Sequence, residues 1–316
     1  MDSNRKIFSN GVEAPDRSRE IPGALSGVPL RVPDVRSGYP AATVVDVHGS
    51  AAEPFDRGRG FPDACSHRLK IGLLIPATNC TAEFEMWSVI GRNPDVLDGV
   101  GIHATPIRTP TPSFGDAEEL AQYRRDFDAN LLDAVDVALL AEPESMVLGF
   151  SMEHFSPSVA EGEVQPALVR ERADGISLAT WRAAAQAALD AYEARRIAIL
   201  CPFDPTGLAN AVGYFEELGR EVVSAVGLGC ATGVDVGHVP DDLKERVIRE
   251  RLLAHGPVDA ILQCGTNLSS LALAERLEGE LGLPLIGINV ALLWFTLREL
   301  GIDSRLHGGS RLLRDH

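Results

Sequence analysis

The chain has 316 residues, 45% of them apolar, and a formal net charge of −16 at pH 7, so it can bury one or two sizeable cores. The negative charge argues against non-specific nucleic-acid binding, which needs a basic surface, and no run approaches the roughly 18 apolar residues of a membrane-spanning helix. Five cysteines, Cys65, Cys80, Cys201, Cys230 and Cys264, show no CxxC spacing and no adjacent histidine pair, which reads as reduced thiols in a cytoplasmic, metal-free protein.

Met1 to Ser66 is rich in Pro, Gly, Arg, Asp and Ser and has no helical period. It reads as a flexible extension with one short strand candidate, Ala42 to Val47. An apolar signal core is missing, and Glu13, Asp16, Glu20 and Asp34 do not suit a transit peptide. From Leu69 the pattern changes. Ile71 to Ile75 is a buried strand ending at Pro76, followed by a helix from Ala82 to Ile90 and a second strand from Val100 to Ala104. Asp116 and Glu119 form a capping-box-like start to a helix whose apolar face carries Leu120, Tyr123, Phe127, Leu131 and Val135. Ser145 to Leu148 is a third strand, leading into Gly149-Phe150-Ser151.

A second series follows. Ser177 is read as the cap of a helix carrying Leu178, Trp181, Leu189 and Tyr192, and strands are expected at Arg196 to Cys201, Val222 to Leu228, Val258 to Leu262 and Leu283 to Asn289. Helices are expected at Leu208 to Leu218, Asp241 to His255 and Ala291 to Leu300. The halves echo each other: Gly72 to Pro76 pairs with Ala198 to Pro202, and Met146 to Gly149 with Ala260 to Cys264. The expected fold is therefore α/β, two similar lobes of mostly parallel sheet flanked by helices and facing across a cleft. Its division is an extension (1–66), a first lobe (67–176) joined by the C-terminal helix (290–316), and a second lobe (177–289). Ligands of such sheets sit beyond the carboxyl ends of strands, so the turns after Pro76, Leu148, Cys201 and Leu262 should converge.

The stretch Gln263-Cys264-Gly265-Thr266-Asn267 is the richest in chemistry. A strand ends at Cys264, turns on Gly265 and is expected to open a helix from Leu268 with unpaired N–H groups, a setting that favours anions and a thiolate. Cys264 is then a nucleophile or a proton donor and acceptor. The competing reading is a small apolar plug at a strand end. His103 and His154 lack metal-spaced partners and read as structural, and Glu153 as a solvated charge.

These turns carry a resemblance. Pro76-Ala77-Thr78-Asn79-Cys80-Thr81 with Glu83, Gly101-Ile102-His103-Ala104, Gly149-Phe150-Ser151, Gly229-Cys230-Ala231-Thr232-Gly233-Val234 and Cys264-Gly265-Thr266-Asn267 occur in the order found in the aspartate/glutamate racemase superfamily. Within it, the set resembles the branch of arylmalonate decarboxylase and maleate isomerase, over the whole chain from Leu69 onward. The resemblance implies a two-lobed fold, no cofactor, a small carboxylic acid as substrate, and chemistry through a carbanion or a cysteine adduct. It implies Cys264 as the catalytic thiol. Thr78, Asn79, Gly149, Phe150, Ser151, Phe203, Val234, Gly265, Thr266 and Asn267 are the implied substrate contacts, and a homo-oligomer is compatible with it.

Departures from the pattern choose among reactions. Racemases and maleate isomerase carry one cysteine per lobe, and the first would fall at Gly149; arylmalonate decarboxylase has glycine there. One thiol suits decarboxylation of a substituted malonate, with Cys264 as the proton donor. The alternatives are a maleate-type cis–trans isomerase or an amino-acid or hydantoin racemase, for which Cys80 is the spare thiol, and a non-catalytic carboxylate-binding protein. Phe203 stands where both relatives have a tyrosine, and Phe150 where the decarboxylase has a threonine, so the substrate is expected to differ from theirs.

Overall fold

The structure, a computed structural model, describes residues 63–109, 117–151 and 158–316, and the backbone of 43–45 and 51–54. Strands β1 (Thr43–Val45) and β2 (Ala51–Pro54) pair antiparallel; of the reading of Met1 to Ser66 as a flexible extension, the rest up to Pro62 lies outside the described residues, while Asp63 accepts the N–H groups of Cys65 and Ser66 and pairs with Lys70 at 2.6 Å. So do Asp116, Glu153 and His154.

The first half contains β3 (Leu69–Pro76), α1 (Ala82–Arg92), α2 (Pro94–Leu97), β4 (Val100–Ile107), α3 (Ala117–Leu139), β5 (Ser145–Leu148), α4 (Val164–Arg172) and β6 (Ser177–Thr180). Next come α5 (Trp181–Ala191), β7 (Arg196–Cys201), α6 (Pro205–Glu217), β8 (Glu221–Gly227), α7 (Gly233–Gly237) and α8 (Asp241–Val247), which continues through a π turn and a 3-10 turn to His255. The chain ends with β9 (Ala260–Gln263), α9 (Leu271–Leu281), β10 (Leu285–Gly287), α10 (Ile288–Glu299) and α11 (Arg311–Asp315).

Two four-stranded sheets result, in the orders β4-β3-β5-β6 and β8-β7-β9-β10, with every pairing parallel. The orders match element for element, so the echo in the sequence is a structural repeat. It extends to side chains at the strand starts. Glu144 donates its N–H to Lys70 O and accepts the Lys70 N–H through Oε2 at 2.7 Å; Asp259 donates to Arg196 O and accepts the Arg196 N–H through Oδ2 at 2.8 Å.

Alternation along the strands sorts side chains into three cores. Ile71, Leu73, Ile75 and Val147 of the first sheet share one core with Ile197, Ile199, Cys201, Leu262 and Cys264 of the second. Leu74, Met146 and Leu148 point the other way, onto Phe127 and Leu131 of α3, while Ala198, Leu200 and Ile261 pack with Leu252 and Leu277 on the far side of the second sheet. Helix α10 is buried almost all round and packs on α1 and α5.

Two local expectations are corrected. Ser177 does not cap a helix: Ser177–Thr180 pairs with β5 as the edge of the first sheet, and the helix starts at Trp181, where the Thr180 hydroxyl accepts the Ala183 N–H. Pairing with a neighbouring strand outweighed a segment that by local pattern alone suits a helix start. The helix after Cys264 starts at Leu271 rather than Leu268.

Candidate active site

The turn after β9 is built by register. Leu200 pairs with Gln263, and Cys264 then donates its N–H to Leu200 O at 2.9 Å. Alternation sends the Cys264 side chain into the shared core, where it is 0% exposed. Gly265 has φ +106°, and a Cβ there would stand 2.6 Å from Pro202 Cδ, so only glycine makes this turn without strain. Gln263 braces it from beneath, donating from Nε2 to the carbonyls of Cys264 and Gly265 at 2.8 Å each. The N–H groups of Gly265, Thr266 and Asn267 have no hydrogen-bond partner among the described residues, and these three residues are buried. Such a run of buried, unpartnered amides suits an oxyanion.

The loop after β3 closes over this turn. Asn79 Nδ2 donates to Thr266 Oγ1 at 2.9 Å and to Gly149 O at 3.4 Å, while its Oδ1 accepts the N–H groups of Thr81 and Ala82 at 3.0 Å. Asn267 replies from the other half: Nδ2 donates to Thr78 O and to Gly233 O, and Oδ1 accepts from Cys80 N and Thr81 Oγ1. Both amides have all donor hydrogens and both carbonyl lone pairs engaged. In this state they stitch the two halves together, and a substrate carboxylate reaches Asn79 only by displacing Thr266 or Gly149.

Thr78, Asn79, Gly149, Thr266 and Asn267 are therefore joined in one network beside Cys264. Phe203, 6% exposed, belongs to the same core as Cys264 and accepts the Gly229 N–H at its carbonyl. Phe150 goes elsewhere. Its ring lies edge-on to Phe127, centroids 5.3 Å apart, in the outer core of the first sheet, and it lines a cavity with Leu148, Gln165, Thr180, Trp181 and Arg182 that does not include Cys264. Val234, on α7, is 50% exposed, and Ser151 is half-buried at the end of the described turn.

The expectation that the helix after Cys264 opens with unpaired N–H groups is overturned. Glu85 of α1 accepts the N–H groups of both Ser270 and Leu271 at Oε1, each at 2.7 Å, so the α9 N-terminus is already occupied by a carboxylate. Sequence reasoning missed Glu85. Its signal was an acid at a core-facing position of α1, among the buried Ala82, Met86, Val89 and Ile90.

Among the described residues no group of three or more His, Cys, Asp or Glu side chains is placed to hold a metal ion, and no helix is long and apolar enough to cross a membrane. His103 is exposed on the edge strand β4.

The family model described as arylmalonate decarboxylase matches residues 145–313, more than half of the chain. The maleate isomerase of Nocardia farcinica is 29% identical over 253 residues, which cover 78% of this chain and 95% of that protein. In structure, the chain is similar to a cysteine-to-serine variant of the Nocardia farcinica maleate cis-trans isomerase with a covalently bound succinylcysteine intermediate. The TM-score is 0.66 and the identity 26%, covering 78% of this chain and 99% of that one. A doubly substituted, liganded arylmalonate decarboxylase shares the fold, with a TM-score of 0.65 at 17% identity, covering 78% of this chain and all of the other.

Proposed function

The chain belongs to the arylmalonate decarboxylase family, and from that premise we propose that it is a cofactor-independent enzyme acting at the carbon next to a carboxylate, by cis–trans isomerisation of a maleate-type diacid. What carries this reading is the likeness to maleate isomerase over 95% of that protein's length, together with a buried cysteine at the end of a central strand. Decarboxylation, the first reading of the single thiol, becomes the second choice.

One thiol suffices for isomerisation. The Cys264 thiolate adds to one alkene carbon, a C–S bond forms, and the π pair moves onto the neighbouring carboxylate as an enediolate. The former double bond is now single and rotates. When the enediolate pair returns, the alkene reforms in the trans geometry and the thiolate leaves. No proton is gained or lost, so no second acid is required. The charge that develops on the enediolate is matched by the unpartnered amides of Gly265 and Thr266 and by Ser151. These act over a few ångströms, whereas the chain's remote negative charge is screened beyond about 10 Å.

The decarboxylase reading keeps one specific observation in its favour. A Cβ at Gly149 would stand 2.7 Å from Ile75 Cγ2 and 2.8 Å from Leu73 Cδ1, so the position of the first half that matches Cys264 has no room for a thiol, and a substituted malonate needs only one proton donor after carbon dioxide leaves. A panel of maleate, substituted malonates and acidic amino acids, followed by proton NMR in deuterated water, separates the readings. Isomerisation yields fumarate that keeps both vinylic protons. Decarboxylation yields an acid with one deuterium at its α carbon, and racemisation exchanges an α proton. Binding without turnover of any compound would make the chain a carboxylate-binding protein.

A further inference from the structure

Helix α1 and the loop before it touch the turn after Cys264 at successive levels: Asn79 on Thr266, Cys80 and Thr81 on Asn267, and Glu85 on Ser270 and Leu271. The deepest of these contacts is Glu85, whose residue is 2% exposed. Its Oε1 takes the two backbone amides, and its Oε2 accepts Asn289 Nδ2 at 2.8 Å. The second hydrogen of that amide goes to Thr266 O at 2.9 Å, so Glu85 reaches the turn twice, directly at its exit and through Asn289 at its middle. An opposite charge grips the next residue back. Lys244, 0% exposed, donates to Ser269 O at 2.5 Å and Ser269 Oγ at 2.8 Å while paired with Asp241 at 2.7 Å. Burial raises the Glu85 carboxyl, opposed by the bonds from Leu271, Asn289 and Ser270 and by Lys244.

We propose that Glu85 is the positioning residue of the catalytic turn: from the first half it fixes Thr266 and the start of α9, so that the Cys264 thiol and the unpartnered amides keep one geometry relative to the loop 77–81. The functional part rests on the reading of Cys264 as the reacting group. Chemistry explains the choice of residue. Three donors converge on one side chain, and a carboxylate is all acceptor, whereas an amide must turn its NH2 either onto Asn289 or onto the two backbone N–H groups. Glu85→Gln therefore keeps size and loses one arm whichever way it faces.

Two measurements on the full chain test this. Hydrogen exchange read by mass spectrometry should be roughly tenfold faster in Glu85→Gln for peptides covering 264–272 and unchanged in β3 and β7, because the local opening is limited to the released turn. On the substrate found by the NMR panel, well below the melting temperature, kcat should fall roughly 10- to 100-fold with KM held within about threefold, as for a displaced reacting group. Unchanged exchange in the turn, or faster exchange with kcat within about twofold of wild type, overturns the proposal. Should Glu85→Gln not fold, Asn289→Ala keeps the grip on α9, cuts the arm to Thr266, and should lower kcat in the same way; an unchanged kcat there also overturns it. If wild type turns over nothing in the panel, or Cys264→Ser retains full turnover, the functional reading fails by itself, and the exchange of 264–272 still decides whether Glu85 holds the turn.

Discussion

Gly149 and Cys264 occupy the same position in the two halves. Each follows the last residue of the third strand in its half and donates its N–H to the matching carbonyl of the central strand, Leu74 O at 2.8 Å and Leu200 O at 2.9 Å. Each directs its Cβ, actual or absent, into the shared core. The neighbour on the central strand differs: Ile75 beside Gly149, and Cys201 at the corresponding place beside Cys264. A repeated scaffold thus offers two equivalent places for a side chain; packing by Ile75 and Leu73 closes the first, while the second holds a thiol. Which of the two places can hold a side chain is a matter of packing as much as of backbone geometry.

The largest effect expected comes from removing that thiol. Cys264→Ser keeps the size of the side chain but raises its pKa far out of range, so turnover should fall by roughly 10³-fold or more while thermal unfolding shifts little. A cysteine that only fills the core gives the opposite pattern, with intact turnover and a stability loss of roughly 1–3 kcal/mol from a buried hydroxyl. Steady-state kinetics and calorimetry on the same preparation distinguish the two.

The closed position is tested by forcing it open. Gly149→Cys must push aside Ile75 and Leu73, and Leu74 O lies 3.1 Å from the new Cβ, so overpacking should cost about 1–3 kcal/mol in urea unfolding. Combined with Ile75→Ala, the added side chain should fill the space vacated. The double variant is expected to be more stable than the sum of the single effects by about 1 kcal/mol or more. Additive losses would show that Ile75 is not what closes the site.

This contrast also marks what was legible in the sequence. Alternating apolar runs disclosed seven of the eight strands of the two sheets, because buried parallel strands write themselves as short continuous runs. Edge strand β6 was hidden because Ser177-Leu178-Ala179-Thr180 has no such run, and its pairing with β5 depends on a segment 32 residues earlier. Thr78, Asn79, Thr266 and Asn267 were singled out in the sequence as substrate contacts; that the Asn79 and Asn267 amides each cross to the opposite half of the molecule for hydrogen bonds follows from residues separated by 187 positions meeting in space. Glu85 looked like one acid among many in a helical pattern, and its partners lie 185 or more residues away. The lack of a thiol at Gly149 was plain from the sequence, while the lack of room for one appears only when Ile75 is seen against it.

The smallest effect lies at the opposite ends of the same strands, where the repeat has Glu144 in one half and Asp259 in the other. Asp259 is exposed and accepts the N–H groups of Arg196 and Arg195. These bonds, that of Arg196 first, hold its carboxyl below the usual aspartate value. A lowered folded-state value means that the unfolded chain binds the proton more readily, so the contribution to stability is present above the unfolded pKa of about 3.9 and is lost as pH falls through the folded value. Solvent screening limits that contribution, and Asp259→Asn should cost only a few tenths of a kcal/mol at pH 7. The difference from wild type should narrow as pH falls below the unfolded value and close once pH has passed through the lowered folded value, where the carboxyl is protonated and neutral like the amide. Glu144 is buried, with Oε2 on the Lys70 N–H, and Glu144→Gln replaces a charge-assisted bond inside the core edge, so its cost should reach about 1–2 kcal/mol. Urea titrations of the two variants at pH 7 measure the ratio. Equal losses would mean that burial does not distinguish the two copies of the motif, and that the repeat is energetically as symmetric as its backbone.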